Sequence, residues 1–342
     1  MPRQDRLNLI REIEAARESR LLVAIWGDRQ NLPTIIASDA HSVFFDHLEK
    51  IGEVPKIDVL LYTAGGQTLA AWGLANLVRE YCQVLGVLIP HRALSAGTLF
   101  TLAANEIIMT RLGQLSPIDP SVNSPLGPKV ETPMQVGQAQ IVPISVEDVV
   151  GFLDLARKEA GLKEERSLLA VFGQLSTEVH PLALGAVYRS REQIINLADR
   201  LLAFHMEGEE HKEERARIVA RLTRELGSHD YLIGRSEVKN VLKLNVIEPA
   251  PEIETNLRAL FSQYSELLKL TVPYNAEGFL GTDQQKVGTF PRAVIETTDE
   301  THVFETVKEV QRVQVQQPGL PMPTQGIQEK ASFEGWRLND TL

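Results

Sequence analysis

Thiols are nearly absent. Cys82 is the single cysteine in 342 residues, which excludes an intramolecular disulfide and any zinc site built from several thiolates. A reducing cytoplasm is the compartment this predicts. Positive charge is also in deficit: 35 Lys plus Arg stand against 45 acidic residues, for a net charge of -10. Binding to nucleic acid or to an anionic membrane is therefore excluded as the main activity. Long apolar runs are missing too. Leu21 to Trp26 and Val84 to Pro90 are among the longest, strand-sized beside the roughly 20 residues a membrane span needs. The opening stretch MPRQDRLNLIREIEAARESR is charged throughout, so neither a secretion signal nor a membrane helix is expected there. Neither GxGxxG nor GxxxxGKS or GxxxxGKT occurs, so no nucleotide site is expected and any ATP dependence would come from a partner. His41 and His47, with Asp39 and Asp46, miss the four-residue spacing of a helical zinc pair, and neither metal nor cofactor is expected.

What is present is alternation. Leu7, Ile10 and Ile13 recur at helical spacing before the strand-like run LLVAIW,. Asp39 is placed to cap a helix running through Leu48, and IDVLLYT (Ile57 to Thr63) reads as the next buried strand,. Gly65 and Gly66 break it. LAAWGLANLVREYC is helical, VLGVLIP a strand, HRALSAG a turn, TLFTLAA a helix and EIIM (Glu106 to Met109) a strand,. Apolar strands alternating with helices predict an α/β fold with a mainly parallel sheet and right-handed crossovers, its core at about residues 20 to 125,. The proline-rich LSPIDPSVNSPLGPKVETP leaves regular structure along the rim,.

Beyond it the second half is largely helical. Ser145 and Asp148 begin a capping box, and helices are predicted through Ala160, from Lys163 to Val179 and from Pro181 to Met206,. EEHKEERARIVARLTREL reads as a solvated amphipathic helix with no chemistry,. After a helix near Glu252 to Leu270, PRAVIETT and HVFETVKEVQRVQV show partial strand alternation, and QQPGLPMPTQG reads as an unstructured tail,. The expected division is a main domain over residues 1–250, a small C-terminal helix and β extension over 251–317, and a flexible tail over 318–342.

Chemistry concentrates in two turns at the ends of consecutive predicted strands, TAGG (Thr63 to Gly66) and ALSAG (Ala93 to Gly97). Ligands of open α/β sheets bind outside the carboxyl ends of the strands, where such turns gather. Glycine leaves its N–H uncovered, and the first residue of a helix has an N–H with no partner inside the helix. Acyl transfer needs a nucleophile beside two such donors. Ser95 is at the nucleophile position, and the donors would be Gly65 or Gly66 and Ala96. Either motif alone reads better as a helix cap or a tight turn; their ordered pairing favours an oxyanion hole.

LLYTAGG followed by ALSAGTLFTLAANEIIMTRLGQLSPIDPS resembles the serine dehydrogenase proteinase (SDH) family, a branch of the Clp-protease and crotonase fold, over about residues 6 to 248. The later HDYLIGRSEVKNVLKLNVIE resembles the part of that family where the chain returns to the core. The resemblance implies a ββα spiral and a serine peptidase with Ser95 as nucleophile. Gly65 or Gly66 and Ala96 would hold the oxyanion of a peptide or unfolded-protein substrate. It further implies a homo-oligomeric ring, with an activating partner protein as a candidate. The Clp histidine that follows the nucleophile helix is absent, Ile118, Asp119 and Pro120 standing in its place. Lys129, by likeness to signal peptide peptidase A, and His180 in EVHPLALG are alternative general bases. His229 follows them, with Asp230 or Glu225 as partner, and the remaining histidines rank lower. Two rival readings keep the fold: crotonase-like acyl-CoA chemistry with Ser95 a spectator, and a catalytically inactive scaffold.

Overall fold

The computed structural model describes residues 3–118, 121–122, 124–131, 139–228, 230–315 and 324–339. Two compact units divide the chain: Met1–Leu115 with Ile233–Leu342, and Ser116–Leu232.

The first unit begins with α1 (Arg3–Arg17), β1 (Arg20–Trp26), α2 (Ala40–Ile51), β2 (Val54–Tyr62), α3 (Thr68–Arg79), β3 (Cys82–Ile89), α4 (Ala96–Thr101), β4 (Glu106–Met109) and β5 (Gln114–Leu115). The second holds β6 (Ser121–Val122), β7 (Lys129–Glu131), β8 (Ala139–Ile141), β9 (Ile144–Ser145), α5 (Val146–Asp154), α6 (Glu165–Glu178), α7 (Pro181–Leu202) and α8 (Lys212–Ala220). The chain then returns to the first unit with β10 (Ile233–Gly234), α9 (Arg235–Glu237), β11 (Val246–Ile247), α10 (Pro251–Leu267), α11 (Ala276–Leu280), β12 (Gln285–Glu296), β13 (Thr301–Val315) and β14 (Thr324–Leu338).

An eight-stranded sheet organises the first unit in the order β11-β4-β3-β2-β1-β12-β13-β14. The five strands from β11 to β1 are parallel, and β12 joins β1 antiparallel. Period-two side-chain alternation sorts the apolar strands onto two covered faces. Val23, Ile25, Leu60, Tyr62, Leu88 and Ile108 meet Leu7, Ile10 and Ile13 of α1 and Leu257, Leu260 and Tyr264 of α10. The alternate residues face α2 to α4, as in the stacking of Trp26 on Phe44.

This geometry corrects the expected division. The stretch after residue 250 is part of the core sheet, not an appendage, and residues 324–338 form a strand paired to β13 along its length instead of a flexible tail. A buried charge cluster ties α1 to the elements that follow residue 250. Glu296 on β12 accepts two hydrogen bonds from Arg6 of α1 (2.8 and 3.2 Å) and one each from Tyr264 of α10 and Thr301 of β13. A carboxylate this deeply buried persists only with such partners.

In the second unit, Ile144, Val146, Val179, Ala183, Leu184 and Val187 form a small core. Ser145 caps α5 by accepting a hydrogen bond from the Asp148 N–H at 3.2 Å, as its sequence predicts. The charged stretch at α8 departs from a purely solvated face. Arg215 is buried, paired to Asp199 at 2.9 Å and donating to the Met206 and Gly208 carbonyls.

Candidate active site

Beyond their last paired residues, β2 and β3 continue side by side into the two turns. The Thr63 N–H donates to the Arg92 carbonyl (3.1 Å), and the Leu94 N–H donates to the Thr63 carbonyl (3.0 Å). On its other side the Gly-Gly turn is clamped to Ile36, whose N–H donates to Gly65 O (2.9 Å) and whose carbonyl accepts from Gln67 N–H (2.8 Å). Gly65 and Gly66 take φ of +124° and +150°, a region L side chains rarely adopt,. Space forbids a side chain as well. A Cβ on Gly66 would stand 2.2 Å from the Ile36 carbonyl oxygen, and one on Gly65 would stand 2.9 Å from Ser95 Cβ and 3.4 Å from Ser95 Oγ. The serine and the glycine turn, thirty residues apart in sequence, are therefore in contact.

Ser95 precedes α4 with φ 51° and ψ -110° and makes no side-chain cap to that helix. A non-glycine residue in this conformation carries backbone strain that surrounding structure must hold. Here the holding bonds are local: Gly97 N–H to Leu94 O (2.8 Å), Leu99 N–H to Ser95 O (3.0 Å) and Thr98 Oγ1 to Ala93 O (2.9 Å). The side chain is half-buried, so it remains accessible.

The two glycines differ in their N–H groups. Gly65 N–H donates to Thr63 Oγ1 at 2.9 Å, and the same hydroxyl donates back to Gly65 O at 3.1 Å. No hydrogen bond among the described residues claims the N–H of Gly66 or of Ala96. Beside the turns lies a cluster without any signal in the sequence, because its members come from three separate strand ends. Tyr62 donates to Asp28 (2.7 Å), and Arg92 donates to the Tyr62 oxygen (3.2 Å) and pairs with Asp28. Burial and the neighbouring Asp28 push the Tyr62 hydroxyl above its ordinary pKa,. His91, its ring 5.8 Å from those of Tyr62 and Phe261, is held below its ordinary pKa by burial and by Arg92.

The three candidate bases lie in the second unit. His180 is an exposed N-cap of α7, its Nδ1 accepting the Leu182 N–H at 3.2 Å. Lys129 is on β7, its side chain outside the described residues, as is the whole of His229.

The strand-end turns of this α/β sheet thus bring a strained serine against a glycine pair, at the end of the strands where open α/β sheets bind ligands,. A narrower assignment comes from the first part of the chain: residues 2–138 match the family of ClpP-like SDH-type serine proteinases. Two proteins of Methanocaldococcus jannaschii are similar over part of the chain. Uncharacterized protein MJ1495 is 34% identical over 125 residues, 34% of this chain and 42% of that protein. Uncharacterized protein MJ0137 is 31% identical over 135 residues, 36% of this chain and 46% of that protein. The match thus spans less than half the length of either relative. No helix among the described residues is long and apolar enough to cross a membrane.

Proposed function

We propose that the protein is a serine peptidase of the Clp/crotonase fold, with that fold's ββα spiral, cleaving peptide bonds through an acyl-enzyme on Ser95. Ser95 Oγ attacks the scissile carbonyl carbon and loses its proton to a base. The carbonyl oxygen becomes an oxyanion, and the base returns the proton to the leaving amine. Water then repeats the cycle on the ester. The observation that carries this reading is the contact between Gly65 and a Ser95 held at φ 51° without a capping bond. Gly66 and Ala96 are the better oxyanion donors, since Thr63 Oγ1 occupies the Gly65 N–H.

For the base, Lys129 and His180 are the alternatives, with His229 behind them. With Nδ1 accepting the Leu182 N–H, neutral His180 carries its proton on Nε2 and has no lone pair to offer there,. That favours Lys129, whose ammonium would need a lowered pKa. The family likeness further supports a homo-oligomeric ring acting on peptides or unfolded proteins, with an ATPase or other partner as activator, and the single free cysteine fits a cytoplasmic setting,.

A fluorophosphonate probe tests the nucleophile. Wild-type protein should label on Ser95 and Ser95→Ala should not, with hydrolysis of an unfolded protein falling at least about 1,000-fold. Equal labelling of the two, or none on folded wild type, overturns the reading. Saturable CoA-thioester binding without labelling would put crotonase-like chemistry in its place. Loss of labelling in Lys129→Ala but not His180→Ala identifies the base.

A further inference from the structure

Away from the Ser95 turns, α2 meets the tight turn between β12 and β13. His47 of α2 is fully buried, Glu300 in the turn is 4% exposed and His302 of β13 is half-buried. His302 Nδ1 stands 3.2 Å from His47 Nε2 across 255 residues of sequence. The other nitrogen of His47, Nδ1, is 3.1 Å from Thr297 Oγ1 and 3.8 Å from Glu300 Oε1. One donor atom from each of the three side chains lies within 4.8 Å of the others. Lys50 pairs with the second carboxylate oxygen of Glu300, whereas the first, Oε1, is buried and accepts no hydrogen bond among the described residues.

We propose that His47, His302 and Glu300 bind a divalent cation of the zinc class. Two imidazole nitrogens, each about 2.0–2.1 Å from a tetrahedral zinc, stand roughly 3.3 Å apart, close to the spacing of this histidine pair. His47 Nδ1–H donating to Thr297 leaves the Nε2 lone pair aimed at His302, an outer hydrogen bond typical of metal-ligating histidine,. Without the cation, His302 Nδ1–H donates to that lone pair. With it, the His302 proton sits on Nε2, so neither imidazole changes charge. Glu300 turns about its side-chain torsions to bring the unsatisfied Oε1 to the metal, and Lys50, 51% exposed, keeps hold of the other oxygen. Water from the open side of His302 completes the four positions. Two imidazoles and one carboxylate suit zinc better than magnesium or calcium, which prefer all-oxygen shells. Bound there, the cation would fasten the β12–β13 turn to α2.

This site escapes the sequence because its histidines come from opposite ends of the chain, not from one helix. Titrating the chelator-treated full chain with Zn2+ by calorimetry tests it, with Co2+ as a spectroscopic stand-in. Wild type should bind one equivalent and gain thermal stability, and Co2+ should give the absorption of a low-symmetry site with two nitrogen ligands. His302→Ala, at a half-buried position where folding should survive, should bind more than about 100-fold weaker, with Glu300→Gln also impaired and Thr297→Val weakened about 10-fold. Binding in the control His41→Ala, a half-buried histidine outside the cluster, should be unchanged. No binding by wild type, or equal binding by His302→Ala and wild type, overturns the proposal and leaves a hydrogen-bonded imidazole pair.

Discussion

The two ends of the parallel strands are finished in opposite ways. At the amino end, Asp58 of β2 is fully buried, yet Arg17 meets it with two hydrogen bonds (2.9 and 3.2 Å) and Ser19 with a third (2.8 Å). Arg17 also reaches Glu106 of β4 at 2.7 Å, and Lys56 reaches it at 2.9 Å. At the carboxyl end, the backbone is bent into positive φ at Gly65, Gly66 and Ser95, and two N–H groups stay unclaimed among the described residues. One end therefore uses its charged groups to hold the sheet, while the other leaves two backbone donors unclaimed among the described residues. This is the asymmetry that open α/β sheets use to separate stability from chemistry.

Substitutions can break that contrast. Arg17→Met should have the largest effect on stability, about 3–5 kcal/mol in urea unfolding, because it leaves a buried carboxylate uncompensated. Fluorophosphonate labelling per folded molecule should not change. The same pair of ends differs in acid. Burial alone would raise the Glu106 pKa, but Lys56 and Arg17 hold it below the ordinary value. Its contribution to stability is complete above that ordinary value and is lost as pH falls through the lowered one. Wild type should accordingly lose stability more steeply over that acid window than Arg17→Met does.

Thr63→Val should cost less, about 1–3 kcal/mol, by stripping the buried Gly65 N–H of its acceptor,. Unlike Arg17→Met, it should also slow labelling, since the glycine turn loses the hydroxyl that sets its direction. Ser95→Gly should move stability the other way. Relief of the strained φ should stabilise the fold by about 1 kcal/mol while abolishing labelling,. A destabilised Ser95→Gly would mean that the conformation is not stored strain, and the contrast between the ends would lose half its content.

Much of this was legible from local pattern. Leu21 to Trp26, Ile57 to Thr63 and Val84 to Pro90 announce strands buried on both faces, and they pair in parallel order in the sheet. The two turns were legible because glycine at a strand end has few other uses. The antiparallel half was not. PRAVIETT and HVFETVKEVQRVQV look like strands, but nothing in their alternation says that Ala293 to Glu296 will pair with Val23 to Trp26. That pairing depends on Arg6, Tyr264 and Glu296, residues whose charges and hydroxyl are ordinary until the fold brings them together. Long-range polar clusters leave no periodic trace, and the Asp28–Tyr62–Arg92 and His47–His302 groupings were invisible for the same reason. His180, before a proline and an apolar run, has a local use that was legible as the strands were: its ring caps the start of α7.

The Glu296 cluster has an implication for how such a chain can be divided. The family match covers residues 2–138, yet the outermost strand of that stretch, β1, borrows a neighbour from residues 285–296, and its first helix is anchored to that borrowed strand. Cut free, the matched stretch would present a bare sheet edge and an orphaned arginine. The later sequence is thus a clasp rather than a passenger, and any minimal working fragment must keep both ends of the chain.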